Sequence, residues 1–438
     1  MQIFLGILFT VLAFLAIYKI KMYNTKGINK NWFIAMFSIK LILSIGLFAM
    51  YSRSPEIKSN ADIFRFYNDA QVIYNSLKTQ PSAFFKIMTG INSDSEELLP
   101  YYQKMNNWDY SFGSKLYANN KLLIRYLALI SILTFGSYYA ATVITIFLSF
   151  TGLFWIFRFF NYMIKDNKWL ILFLIFLTPS IAFWSSGILK ESLLIFLIGL
   201  LINCGSLALR GRNPFIRIII VAISLIFIFE IKAILALILI PAILSYLWNH
   251  YFPKQRTFIP YFIIFFIGFS FASESGKYMN KGFFELLQDK QAGFISVTQR
   301  DNSQSLISSI DFQPNSISIA SNAPIAIINV LFRPALWEAN NLQSYFASFE
   351  NVAISLSILL IIIFPTKEIN NKNLLLFTLS ISLSYIIIIG LSVPVLGAIS
   401  RYRIIALIFL EMSLIQIINI NRIKELILNK QTNIHTNK

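Results

Sequence analysis

The chain has 438 residues, 56% of them hydrophobic and only 13% charged, against roughly 25% charged in an average soluble domain. Its 37 Lys and Arg outweigh 20 Asp and Glu, for a net charge of +17. These charges cluster between apolar runs of roughly 17 to 20 residues, the length a helix needs to cross a ~30 Å hydrocarbon layer. Soluble enzymes, disordered chains, coiled coils and secreted disulfide scaffolds are excluded. The expected fold is all-α: a polytopic membrane protein forming a single integral domain over 1–438.

Apolar runs predict spans near 2–18, 32–50, 138–157, 169–186, 191–209, 215–229, 233–249, 258–272, 351–365, 374–391 and 403–420, about eleven transmembrane helices. The first lacks a basic leader and a small-residue cleavage site, so it reads as a retained helix. The stretch 122–157 is broken by Gly136-Ser137-Tyr138-Tyr139. Here 122–135 is expected to lie along the interface, with 138–157 crossing.

Lys and Arg accumulate on cytoplasmic flanks, so alternate connections test the topology. One side sums to 18 positive and 3 negative charges; the other nets +1. The first side is therefore expected to be cytoplasmic, with the N-terminus outside and the C-terminus inside. The positive excess then reports topology rather than a nucleic-acid partner. Two long external segments follow, 51–137 with interfacial helices and 273–350, whose Ser/Asn/Gln-rich part 296–322 reads as a mobile loop. Sixteen of the twenty acids fall on this side, where acid–base chemistry is expected.

Four places carry candidate chemistry. In Ala61 to Ala70, Asp62 and Asp69 are seven residues apart and share a face if the segment is helical. Such a pair can take a hydroxyl proton or hold a divalent metal; alternatively Asp62 caps the helix and Asp69 is solvated. Between two spans with almost no loop lie Lys190 and Glu191, and Glu230 with Lys232 repeats the arrangement. A charge at a bilayer centre costs about 2.5–3.5 kcal/mol on insertion scales, so these groups line either a polar cleft or the water edge.

The segment Phe332 to Glu338 brings Arg333, Trp337 and Glu338 together, with Glu350 following. Guanidinium forks suit oxyanions and an indole face suits a sugar ring; an interfacial Trp with a rim ion pair is the plainer reading. Finally, Arg401 and Arg403 sit on the side that positive charge avoids. Either an anionic ligand or an acid such as Glu350 or Asp69 must offset them. Cys204 sits mid-span, and His250 and His435 both lie in basic segments, so Cys/His transpeptidase chemistry and a zinc ligand set are not expected.

The stretches SNADIFRFYNDA, PSIAFWSSGILKESL, FRPALWEANN with SFEN, and GAISRYR together resemble bacterial surface-polysaccharide membrane proteins. Those are Wzy-like oligosaccharide repeat-unit polymerases or C-type (GT-C) membrane glycosyltransferases. The resemblance implies transfer of a sugar or oligosaccharide from a polyprenyl-phosphate-linked or pyrophosphate-linked donor, at the outer face of the bacterial inner membrane, in cell-envelope glycan assembly alongside other assembly proteins. It implies Asp62 or Asp69, with Glu338, as the catalytic acids, with Mg or Mn as the metal such a site would take. Lys190, Glu191, Lys232, Arg333, Trp337, Arg401 and Arg403 are then substrate-binding. The acidic loop follows the second helix rather than the first, a departure from the C-type pattern. The alternative is a transporter or flippase for a lipid-linked saccharide or other anion, with the same charges lining a pathway.

Overall fold

The computed structural model describes residues 1–108, 120–165, 167–300 and 305–426; His435 lies outside the described residues. Among these the secondary structure is helical, with isolated β-bridges only. In chain order the helices are α1 (Gln2–Lys19), α2 (Lys30–Tyr51), α3 (Pro55–Asn60), α4 (Asp62–Thr79), α5 (Pro81–Thr89), α6 (Leu99–Tyr102) and α7 (Lys121–Leu133). Then come α8 (Tyr138–Met163), α9 (Lys168–Leu177), α10 (Pro179–Trp184), α11 (Lys190–Leu209), α12 (Pro214–Tyr251) and α13 (Phe258–Glu274). The chain ends with α14 (Phe283–Arg300), α15 (Ser316–Phe332), α16 (Leu342–Ile363), α17 (Lys372–Ser392), α18 (Leu396–Tyr402) and α19 (Ile404–Ile417). Their starts follow ordinary capping chemistry: Asn29, Ser54, Asn315, Asn341 and Asn371 each accept a first-turn N–H, satisfying donors a helix leaves open.

Among the described residues, eight helices are long and apolar enough to cross a membrane: α1, α2, α8, α11, α12, α13 with the turn after it, α16 and α17. The apolar helices α9, α15 and α19 are shorter. The chain is thus all-helical, with a lipid bilayer as its natural solvent.

Three segments of the sequence reading can be compared with the helices observed. The run 169–186 is not one helix: α9 stops at Leu177, Thr178 turns to ψ 120°, and α10 begins at Pro179. Proline lacks the N–H to continue the ladder and pushes the residue before it out of helical conformation. The runs 215–229 and 233–249 are two helical stretches of α12 that meet without a loop at a kink at Lys232 (φ −154°, ψ 79°), the hinge position read from sequence. Each half, roughly 18 residues or ~27 Å, still matches a hydrocarbon layer. The expected loop 296–322 is shorter than expected at both ends: α14 runs to Arg300, α15 begins at Ser316, and the described residues 305–315 between them are non-helical.

The chain divides into two compact units. The first comprises Met1–Phe159, Ile175–Leu177 and Ala182–Ala236. Its centre is aromatic. Phe33 meets Phe154 edge-to-face at 5.0 Å and Phe37 meets Phe150 at 5.3 Å, while Tyr23 donates to or accepts from Thr151 at 2.8 Å. Lipid is as apolar as these rings, so shape-matched packing, rather than exclusion of water, holds them together. Small residues allow the tightest contact: a Cβ on Gly199 would come 2.3 Å from the Gly152 carbonyl oxygen. The helix α7 stands apart from α8, separated by Phe135 and Gly136 in left-handed conformation, and buries Leu123, Ile124 and Leu127 on the side that meets α4.

The second unit comprises Phe160–Leu174, Thr178–Ile181 and Leu237–Lys438. Here α15, α17 and α19 pack side by side, and Gly390 lets α17 approach Ala326 so closely that a Cβ would lie 2.3 Å from its carbonyl oxygen. At one end, Thr366 N–H donates to Ile417 O and Asn419 N–H to Phe364 O, both at 2.8 Å. At the other end of α17, Ile307 N–H donates to Pro394 O (2.9 Å) and Leu396 N–H to Ser305 O (3.0 Å). These ties fix the segment before α15 to the segment that leads into α18.

Candidate functional site

In the second unit, the loop after α15, the first turns of α16 and the short α18 enclose a cavity of about 490 Å³, within the roughly 300–1,000 Å³ range of small-molecule sites. Ser305, Asn340, Asn341, Gln343, Ser344 and Ser400 supply its polar lining, and Glu338 its carboxylate. The wall is built by capping. Asn341 Oδ1 accepts from Ser344 N–H (2.9 Å), Ser344 Oγ accepts from Asn341 N–H (3.0 Å), and Asn341 Nδ2 donates to Asn340 Oδ1 (2.9 Å). The start of α16 therefore presents a fixed arrangement of amides and hydroxyls.

Glu338 is held rather than free. Arg333 Nε donates to Oε1 (3.0 Å) and Oε2 (3.3 Å), Arg333 Nη2 donates to Oε1 (2.5 Å), and Ala335 N–H donates to Oε2 (2.8 Å). Partial burial alone would raise its pKa, but Arg333 and the Ala335 N–H outweigh that and hold the carboxyl below the ordinary glutamate range. A general base works best with a pKa near the operating pH. In this structure Glu338 is a hydrogen-bond acceptor held by Arg333 and the Ala335 N–H.

Arg333 is committed to that pair, and Trp337 is 88% exposed and not part of the cavity wall.

Arg403 is completely enclosed. Its Nη2 donates to Glu350 Oε1 (2.7 Å) and its Nη1 to Val330 O (2.6 Å). Glu350 in turn accepts from Ser180 N–H (2.8 Å) and Ser180 Oγ (2.9 Å). The acid thus replaces the anionic ligand, and Arg403 serves as a strut rather than a phosphate ligand. The break before α10 feeds this network from both sides, since Thr178 Oγ1 donates to Glu411 at 2.6 Å. Glu411 was assigned no role from sequence because it stands alone in an apolar run.

Arg401 is half-buried on α18, one residue past Ser400. Its guanidinium lies 6.0 Å from the Tyr402 ring, and Lys290 Nζ lies 5.6 Å from the same ring. Two cations thus lie within cation–π distance of one aromatic ring. Lys290 carried no sequence signal, being one charge among several in a polar helix.

In the first unit, Asp69 is fully buried and accepts the backbone N–H groups of Asn106 (2.8 Å) and Asn107 (2.7 Å). Burial raises its pKa, against the opposing effect of both N–H groups and of Arg65. Asp62 opens α4 and is half-buried. The two acids share a helix but not an environment: Asp69 is enclosed and holds the backbone at Asn106 and Asn107, whereas Asp62 is half-buried. Glu191 is enclosed in the first turn of α11, Lys190 is half-buried beside it, and Lys232 is half-buried at the break in α12. The hinge before Lys190 has a support that sequence reading missed: the buried Lys40 donates to Ser185 O at 2.9 Å and also to Ser185 Oγ.

Among the described residues no three His, Cys, Asp or Glu side chains gather to hold a metal, so no ligand set for Mg or Mn is assigned. Comparison of the chain with protein-family models, with curated proteins and with solved structures finds no match.

Proposed function

We propose that the chain is a membrane glycosyltransferase or polysaccharide polymerase that transfers a sugar or oligosaccharide from a polyprenyl-phosphate-linked or pyrophosphate-linked donor in envelope glycan assembly. One observation carries this reading: an apolar helical body holds a cavity lined by amides and hydroxyls, a lining that pairs with sugar hydroxyls as both donor and acceptor. Arg401 and Lys290, gathered at Tyr402, supply positive charge for the donor phosphate, where charge grows on the leaving group. The cavity lies at the end of α17 opposite the Lys-bearing 366–373 connection; under the charge-bias topology that end is extracytoplasmic, in the bacterial inner membrane.

The test is glycan chain length in cells carrying Arg401→Ala or Gln343→Ala, with protein level held constant, alongside reconstituted protein supplied with a lipid-linked saccharide. Shortened or absent glycan and gradient-free formation of a glycosidic bond are expected. Normal glycan in both variants would falsify the transferase reading. A second reading, a flippase, draws on Lys40 and Glu411, which are enclosed within apolar helices, as in charge-bearing transport pathways. Movement of the lipid-linked saccharide without bond formation would favour it.

A further inference from the structure

We infer that the cavity between α16 and α18 is a charge-selective subsite, taking an uncharged polyhydroxylated ring and leaving any phosphate or uronic carboxylate outside. This deepens the proposed function, and rests on it only for the step that would follow binding.

The argument is one of charge and of hydrogen-bond type. Among the described residues no Lys, Arg or His lines the cavity, and the ionisable side chain in the described lining is Glu338. An anion entering would lose water without meeting a cation and would face a carboxylate whose pKa is already low, an arrangement that repels it. The Arg333 guanidinium is not among the described lining residues, and its Nε–H and one Nη2 N–H are engaged by Glu338, so the two form a neutral pair. A sugar hydroxyl is instead donor and acceptor at once, and so are the amides of Asn340, Asn341 and Gln343 and the hydroxyls of Ser305, Ser344 and Ser400.

The wall is pinned where discrimination would be needed. Ser400 is only 3% exposed and donates to Gly397 O at 2.9 Å, while the Leu396 N–H to Ser305 O bond closes the adjacent corner. Gly397 leaves the room: a Cβ there would sit 3.8 Å from Gln343 Nε2, so larger side chains grow into the space a ring would fill. Polar groups built to pair with hydroxyls are left unsatisfied by a ligand that lacks them, which is a strong basis for selection.

The experiment uses full-length protein in a detergent without a sugar headgroup. It is presented with an array of uncharged di- and trisaccharides, the same sugars as lipid-tailed glycosides, their uronic-acid counterparts, and pyrophosphate. Uncharged sugars are expected to bind, and Gly397→Val and Gln343→Ala to weaken that binding by about tenfold or more. Uronic acids and pyrophosphate are expected to bind no better than to those variants. Equal retention whether or not the sugar carries a lipid tail identifies the free glycan as the ligand; retention only with the tail identifies the lipid-linked form, and either result supports the subsite. Thermal unfolding checks each variant, and Gln343→Ala, a change at a half-buried position, keeps the test open if Gly397→Val does not fold. The inference is overturned if no uncharged saccharide is retained, if anions bind as well, or if both variants bind like the parent. Sugar binding without transfer would keep the subsite and remove the transferase; transfer insensitive to Gln343→Ala would do the reverse.

Discussion

The Arg403 guanidinium and the Glu350 carboxylate meet at 2.7 Å with both side chains enclosed, and Ser180 completes the acid's hydrogen bonds from the break before α10. Removing one partner of such a pair strands the other charge, at a cost of about 3–5 kcal/mol. Glu350→Ala is therefore expected to lower the thermal unfolding midpoint in detergent and reduce monodisperse protein on size-exclusion chromatography. The double variant Glu350→Ala/Arg403→Met should recover part of the loss. A single variant as stable as the parent would contradict the enclosed pair.

Asp69 and Asp62 are expected to separate. Asp69→Asn replaces an acceptor of two backbone N–H groups with a side chain that presents a donor to one of them, costing about 1–3 kcal/mol. Its glycan defect should track lost protein. Asp62→Asn at the start of α4 should leave folded protein at parental level, and under the transferase reading should still reduce glycan. Immunoblotting alongside glycan gels distinguishes the two patterns.

The Arg333–Glu338 pair predicts a direction with pH. Because the folded state holds the Glu338 carboxyl below its ordinary value of 4.5, its contribution is present above that value and is lost as pH falls through the lower folded value. Unfolding midpoints measured from pH 7 down to about 3 should show a loss below the ordinary glutamate range that is smaller in Glu338→Gln. A Glu338→Gln profile parallel to the parent's would show that the pair contributes nothing.

Helix contact at Gly199 gives a paired comparison. Gly199→Ala places a Cβ 2.3 Å from a backbone oxygen that cannot swing aside, whereas the nearest atom to a Cβ at Gly205 is 3.9 Å away. Overpacking of this kind costs about 1–3 kcal/mol. Gly199→Ala should lower stability, and Gly205→Ala, on the same helix, should not.

The cavity was partly legible. Glu338 and the GAISRYR segment drew attention because charges are rare in this composition, and the structure places Glu338 and Ser400 in one wall. Gln343, Asn340 and Asn341 were invisible as candidates, since neutral amides near a helix start read as ordinary caps. Arg403 was noticed because the charge bias puts it on the side that positive charge avoids, and pairing with Glu350 was one of the explanations that placement allowed. Lys40 and Glu411 were passed over because an isolated charge in an apolar run does not disclose its partner, which here lies 145 and 233 positions away.

By itself, the sequence determined that this protein is helical and suited to lipid, because run length and scarcity of charge are local properties that a bilayer reads directly. It also marked the break at Gly136, where backbone chemistry acts on immediate neighbours, whereas the run through Pro179 reads as one span. Tertiary structure alone decided which charges are consumed as struts and which amides face a cavity. Those outcomes depend on contacts between residues far apart in the chain, and no periodicity or spacing encodes the burial that turns Arg403 inward and leaves Gln343 beside open space.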